Sequence, residues 1–251
     1  MPETAPSLVG RWLPLLLAIA VATLGWQATW FFCDDAFINY RFCGNAYDGH
    51  GFVWNPPPFL PVEGYTSFGW VAGLYLLWEL TGFSPPSTAI PIAFGAGVGI
   101  LWLADRWLWQ QPWFATAPKL RPWLVGAVLV GIAANHSFAT WLSSGMETSV
   151  YALIGLAFTL RAFAMRPLAA GRDLWVLSLL AALAHLIRPD GDLLVLAVLA
   201  IAGHALFHRW LPLRRTALAL LPLLAPVAHV LWRKWFYGEW QPNTYYAKVV
   251  G

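Results

Sequence analysis

Apolar runs recur from one end of the chain to the other, separated by short polar stretches. The runs at 12–32, 87–104, 122–142, 149–164, 174–187, 193–207 and 216–232 are long enough, or nearly so, to cross hydrocarbon as α-helices. They predict an all-α fold, a polytopic transmembrane helical bundle of about seven spans, in a single module over residues 1–251. The first run follows Arg11 as a signal peptide would, but it is too long and ends on Trp26 and Trp30, so it reads as an uncleaved span. An eighth run, 66–83, is interrupted by Gly69 and Gly73 and carries Glu79. An unpaired charge in hydrocarbon is costly, so this run predicts a re-entrant or interfacial helix.

Composition agrees with the pattern. Of 251 residues, 59% are hydrophobic and 11% charged, against about a quarter charged in soluble domains. Trp residues cluster at the ends of the runs, where an amphipathic ring suits the headgroup level. The net charge of +3 therefore gives no reason to expect nucleic acid; membrane lipids are the expected surroundings. How the charge is distributed says more. Arg11, Arg106, Lys119, Arg121, Arg161, Arg166, Arg172, Arg209, Arg214 and Arg215 fall in alternate loops, and the positive-inside bias puts those loops in the cytoplasm. The loops 33–65, 143–148, 188–192 and 233–251 then face outward. With Glu79 they hold nine of the twelve acids: Asp34, Asp35, Asp48, Glu63, Glu147, Asp190, Asp192 and Glu239 are the others. This assignment requires that 66–83 does not cross.

The outward loops carry the candidate chemistry. Asp34 and Asp35 stand together where the first span meets the interface; repulsion and desolvation favour a raised pKa, hence a general base or a divalent-cation site. Equally, the pair marks the end of the span. The same loop supplies glycines for turns, the stiff Pro56-Pro57-Pro58, aromatic faces for sugar rings or acyl chains (among them Trp54 and Tyr65), and Arg41 and His50 to meet a phosphate. Its length is itself an argument for function. The aromatics also suit an interfacial belt. In the second loop Glu147 reads first as favouring the N-terminus of the following helix. In the third, Arg188 is either an anion anchor or the partner of Asp190. His185, one turn before Arg188, could join that site, but it reads by default as a packed, hydrogen-bonded histidine, as do His136 and His229. The fourth loop offers Asn243, Thr244, Tyr245, Tyr246 and Lys248, or is a solvated tail. Cys33 and Cys43 share the first loop, where an exported location permits a disulfide but two thiols are the plainer reading.

In order, these loops present Asp34-Asp35-Ala36-Phe37-Ile38 with Tyr40-Arg41, Gly49-His50-Gly51, Trp54-Asn55-Pro56, Val62-Glu63-Gly64-Tyr65-Thr66, Ser144-Gly145-Met146-Glu147-Thr148, Arg188-Pro189-Asp190-Gly191 and Pro242-Asn243-Thr244-Tyr245-Tyr246-Ala247-Lys248. The series resembles the membrane-embedded, lipid-phosphate-sugar-dependent (C-type) glycosyltransferases, in the branch that contains bacterial terminal arabinofuranosyltransferases. Two departures stand out. Members generally continue well past the Asn-Thr motif, so the chain reads as a fragment or a truncated relative, and 57–61 looks like a local insertion.

The resemblance implies transfer of a sugar, arabinofuranose above all, from a polyprenyl-phosphate donor to an envelope glycan or exported protein, at the outer face of a bacterial inner membrane. It implies Asp34 or Asp35 as base, with Asp34 narrowly preferred, and Arg188, Lys248 and Arg41 as donor-phosphate ligands. His50, Trp54, Glu63, Tyr65, Glu147, Asp190, Asn243 and Tyr245 would bind substrate. No cofactor is required by it; a divalent cation at Asp34/Asp35 is the one candidate. The alternatives are a non-catalytic or truncated assembly partner and a lipid or solute transporter. A transporter would place its ionisable residues near the midplane rather than in outer loops. Single-cysteine labelling at positions 34, 147, 188 and 243 is expected to modify all four from outside; cytosolic labelling at any one would end the case for a shared outer centre.

Overall fold

The computed structural model describes residues 8–112 and 119–249, and every described element is helical. In chain order these are α1 (Leu8–Ala28), α2 (Asp34–Tyr47), α3 (Phe68–Thr81), α4 (Pro85–Leu108), α5 (Arg121–Ala133), α6 (His136–Trp141), α7 (Thr148–Ala164), α8 (Ala170–Ile187), α9 (Asp192–Phe207), α10 (Leu213–Ala219), α11 (Leu224–Tyr237) and α12 (Asn243–Val249). Short 3-10 turns cover Pro167–Ala169, Pro189–Gly191 and Leu221–Leu223.

Four stretches are long and apolar enough to cross a membrane: Gly10–Ala28, Pro85–Leu108, Pro167–Ile187 and Pro189–Phe207. Leu213–Ala219 and Leu221–Tyr237, bent by 46°, make a fifth if counted as one. The count is thus four to five where hydrophobic runs alone gave seven, and local chemistry explains the difference. The 122–142 run is split, because α5 stops at Ala133 and the Asn135 side chain caps α6, accepting the Phe138 N–H at 3.1 Å. The 216–232 run bends at Pro222, which has no N–H to continue the helical ladder. α7 is a helix of 17 residues, just short of a full span. The 66–83 run becomes α3, 14 residues closed by Gly82 in the left-handed conformation, which is a length that suits an interfacial helix better than a crossing one.

The chain divides into two compact units. The first comprises Met1–Cys33 and Ala89–Leu153. Its core packs Leu15, Ala18 and Ala22 of α1 with Leu101 of α4 and Val125, Leu129 and Ala133 of α5. Gly25 lies so close to α6 that an added Cβ would sit 3.0 Å from that of Ala139. Asp105, with no exposed surface, pairs with Arg11 at 2.7 Å and accepts the Trp109 indole N–H at 3.0 Å. After α1, the Phe31 N–H meets Ser143 Oγ at 3.2 Å and the Cys33 N–H meets the Ser144 carbonyl at 3.0 Å.

The second unit comprises Asp34–Thr88 and Ile154–Gly251. It is built around α8, whose Leu174, Leu177, Ala181 and Ala184 have no exposed surface. Helices α3, α9, α10 and α11 all pack against it. Arg161 and Asp173 form an ion pair near the start of α8. α2 lies on α3, where the Cys43 thiol donates to the Val71 carbonyl at 3.4 Å. Burial pushes that thiol up to about 12, so it is inert at neutral pH. No disulfide joins it to Cys33.

Removing the Asp105 carboxylate would leave Arg11 without its partner. Asp105→Ala is expected to lower stability by about 3 kcal/mol, with Asp105→Asn losing less because it can still accept from Trp109. Thermal unfolding of the detergent-solubilised chain measures this; equal melting temperatures for all three proteins would dismiss the pair as a structural tie.

Candidate functional site

One face of α11 carries His229, Arg233 and Tyr237, four residues apart and so stacked along the helix. Each is claimed by the first loop or its neighbours. The Tyr237 hydroxyl donates to the Phe52 carbonyl, and Tyr65 supplies its own hydroxyl 3.1 Å away. Arg233 Nε lies 2.6 Å from Glu63 Oε2, with 8% and 2% of the two residues exposed. Burial pushes the Glu63 carboxyl up to about 6, even though the Arg233 charge pulls it down. The Glu63 carbonyl accepts the Asn243 N–H at 3.0 Å, which fastens the fourth loop to the first. His229 is 7% exposed and stacks on Phe68, ring centroids 4.2 Å apart; neither ring nitrogen has a hydrogen-bond partner.

The third loop is shaped by Gly191. A Cβ there would overlap the Ala184 carbonyl and the His185 amide nitrogen, so only glycine lets the 3-10 turn lie on the end of α8. That close turn brings Asp192, the first residue of α9, back beside the preceding helix. His185 Nδ1 and Asp192 Oδ1 are 2.5 Å apart. Arg188 pairs with Asp190 at 3.2 Å in an exposed position.

Two cavities open on these groups. A cavity of about 390 Å³ is lined by Thr66, His185, Asp192, His229, Arg233 and Thr244, among others. A second, of about 670 Å³, is lined by Val62, Glu63, Tyr237, Glu239, Asn243 and Tyr246 among others. Arg233 lines the first and its partner Glu63 the second, while Gln241 lines both. The ion pair therefore joins the two linings.

Several residues expected from the sequence fall elsewhere. Asp34 and Asp35 are exposed in the first turn of α2, with the Asp34 carboxylate accepting the Asp35 N–H at 3.0 Å; neither lines either cavity. Arg41 donates to the Trp54 carbonyl and to Asn55 Oδ1, both at 2.8 Å, and lies 4.3 Å from the centre of the Trp54 ring. It thus braces the loop it was expected to arm. His50 is exposed, its N–H bonded to the Asn45 carbonyl at 2.8 Å. Tyr65, 2% exposed, meets Phe42 edge-on at 4.6 Å, and burial first, then Tyr237, hold its hydroxyl well above the usual range. Glu147 belongs to the first unit, is buried, and gives its carbonyl to the Tyr151 N–H as α7 begins. Asp190 stays on the surface with Arg188. Asn243 lines the larger cavity and Tyr245 the smaller. Lys248 sits in α12, its side chain outside the described residues.

Arg233, His229, Tyr237 and Asp192 were not among the expected site residues, and His185 was expected to pack by default, with a place in the third-loop site as the alternative. Their one sequence signal is the spacing of four along 229, 233 and 237 in an otherwise apolar helix.

No family model matches the chain, and no solved structure matches it. A protein of Mycobacterium tuberculosis (strain ATCC 25618 / H37Rv) named terminal beta-(1->2)-arabinofuranosyltransferase is 30% identical over an alignment of 255 residues. The alignment takes in 96% of this chain and 38% of that relative.

Breaking the buried pair on one side is expected to cost about 3–5 kcal/mol, since the partner charge is left uncompensated. Arg233→Met and Glu63→Leu should each destabilise by that order, and the double variant by clearly less than the sum. Additive losses in denaturation would refute the coupling. The pH dependence has a definite sign. The Glu63 carboxyl rises from 4.5 to about 6 on folding. Its contribution is therefore fully present below pH 4.5 and lost as pH rises through 6, on the order of 2 kcal/mol. Glu63→Gln should lose this part of the stability–pH profile.

Proposed function

We propose that the chain is a glycosyltransferase that moves a sugar, arabinofuranose in our reading, from a polyprenyl-phosphate donor to an envelope glycan or exported protein. The observation that carries this reading is the likeness to an arabinofuranosyltransferase over 96% of the chain. The geometry supports it with two polar cavities in the unit that holds the first, third and fourth motif-bearing loops. Helices long and apolar enough for a bilayer suit a donor whose tail never needs to leave it. In this reading the work is done at the outer face of a bacterial inner membrane.

Chemically, an acceptor hydroxyl attacks the anomeric carbon while the bond from that carbon to the phosphate oxygen breaks. Asp34 or Asp35, exposed in the first turn of α2, takes the hydroxyl proton. Arg188 and Lys248 meet the phosphate; Arg41 contributes by holding the Trp54–Asn55 segment in place. Asn243 and Tyr245, from opposite cavities, bind sugar or acceptor, and the Glu63–Arg233 pair sets the spacing between them. His50, Trp54, Tyr65 and Asp190 then serve as supporting positions around the loops of the second unit.

Membranes containing the chain, given labelled polyprenyl-phosphate-arabinose, should pass label into glycan or protein. Asp34→Asn or Asp35→Asn should reduce transfer about 100-fold or more while the protein still accumulates. Undiminished transfer in both variants would remove the base assignment, and absence of transfer with any sugar-phosphate lipid would remove the activity itself.

A further inference from the structure

The smaller cavity contains a proton-transfer pair that the foregoing steps do not use. His185 sits in the last turn of α8, and Asp192 opens α9 beyond the Gly191 turn. The two side chains are 2.5 Å apart, with the imidazole largely enclosed and the carboxylate mostly solvated. Asp192 is the hydrogen-bond partner recorded for His185 among the described residues, and it engages Nδ1. That contact fixes the ring and leaves Nε2 for the cavity, the arrangement by which a carboxylate orients an imidazole. Across the same cavity stand Arg233, whose charge Glu63 already offsets, and His229, nine-tenths buried with neither nitrogen bonded. Thr244 Oγ1 is also buried there without a partner. The exposed Arg188–Asp190 pair completes the charges nearby. The unpartnered atoms here include ones able to donate, and Arg233 adds a guanidinium, so a phosphate oxygen entering the cavity has donors to meet.

The reaction proposed above creates such an anion. Its donor is a phosphodiester with one negative charge, and its leaving group is a phosphate monoester with two, whose second pKa is about 6. A free imidazole titrates near 6.5, on the order of the same value, so a proton can pass between them with little driving force either way. Arg233 cannot supply the extra charge, because it is spent on Glu63. A neutral acceptor-binding cavity would have no use for an oriented imidazole of this kind.

We propose that His185, oriented by Asp192, donates its Nε2 proton to the phosphate oxygen that leaves the anomeric carbon. This rests on the glycosyltransferase reading and deepens it. The acceptor oxygen bonds to the anomeric carbon and its proton goes to the first-loop carboxylate. The electron pair of the breaking bond stays on the phosphate oxygen, which takes the proton from Nε2. The imidazole is reprotonated from solvent through the opening of the cavity. Asp192 is a positioning residue in this scheme, and His229 and Thr244 are hydrogen-bond donors to the phosphate.

Two measurements on the full chain in nanodiscs decide it. Calorimetry with farnesyl phosphate as the probe, in two buffers of different ionisation enthalpy near pH 7.5, should show binding accompanied by proton uptake. His185→Gln and Asp192→Asn should lose that uptake, with size-exclusion profiles unchanged. In transfer assays with a farnesyl-phosphate-linked sugar, His185→Gln should lower kcat by about 100-fold and erase the alkaline limb of the pH profile. Asp192→Asn should lower kcat by about tenfold while KM stays within about twofold, a split that a merely structural role would not produce. Farnesyl phosphate that binds without proton uptake, or fails to bind, overturns the proposal, as does an unaltered alkaline limb in His185→Gln. Proton uptake that depends on His185, in a chain that transfers no sugar, would overturn the transferase reading while supporting the imidazole–phosphate contact.

Discussion

A buried ion pair organises the candidate site. Glu63 and Arg233 come from segments far apart in the chain, and both are removed from water. Charges in such a place repay their desolvation only when the partner is held in good geometry. The backbone around the pair meets that condition. Gly238 closes α11 in the left-handed conformation one turn after Arg233, and the Glu63 carbonyl holds the first residue of α12. The first loop, the last long helix and the Asn-Thr segment are thus one mechanical assembly. That the Glu63 carboxyl still rises to about 6 shows burial outweighing the guanidinium. The pair is a source of specificity in the arrangement more than of net stability.

Around this tie the unit separates two kinds of surroundings. The smaller cavity gathers two histidines, an arginine, two threonines and the Asp192 carboxylate. The larger gathers two carboxylates, Asn243 and aromatic rings. The linings meet at the Glu63–Arg233 pair, while Asp34 and Asp35 lie outside both. Gln241, shared by both linings, marks that meeting.

Glycine geometry makes the histidine–aspartate contact available. Four residues separate the end of α8 from the start of α9, and with a side chain at 191 the turn would have to lift away from α8. Gly69 has a related role: an added Cβ there would lie 3.1 Å from the Leu186 backbone, so glycine lets α3 pass close to α8, with Thr66 at the edge of the same cavity. Small residues at helix crossings allow polar groups on different elements to approach.

Membrane character, an all-helical fold and the ordering of the motif-bearing loops could all be read from the chain. Each depends on local quantities: the length of an apolar run, the residues that end it, the sign of charge in a loop. The weakness of 66–83 as a span was legible for the same reason, since two glycines and Glu79 act where they stand. Which polar residues meet was not legible. Arg41 looked like a phosphate ligand until the Trp54 carbonyl and Asn55 claimed it, and Arg233 looked like any residue flanking a membrane helix until Glu63 was found beside it. His185 gave no sign that Asp192 would return to it, because that contact depends on a backbone path only Gly191 permits. Local sequence fixes hydrophobicity and helix ends; the pairing of buried charges is a long-range matter, decided when packing removes water and leaves each group only the partners within reach.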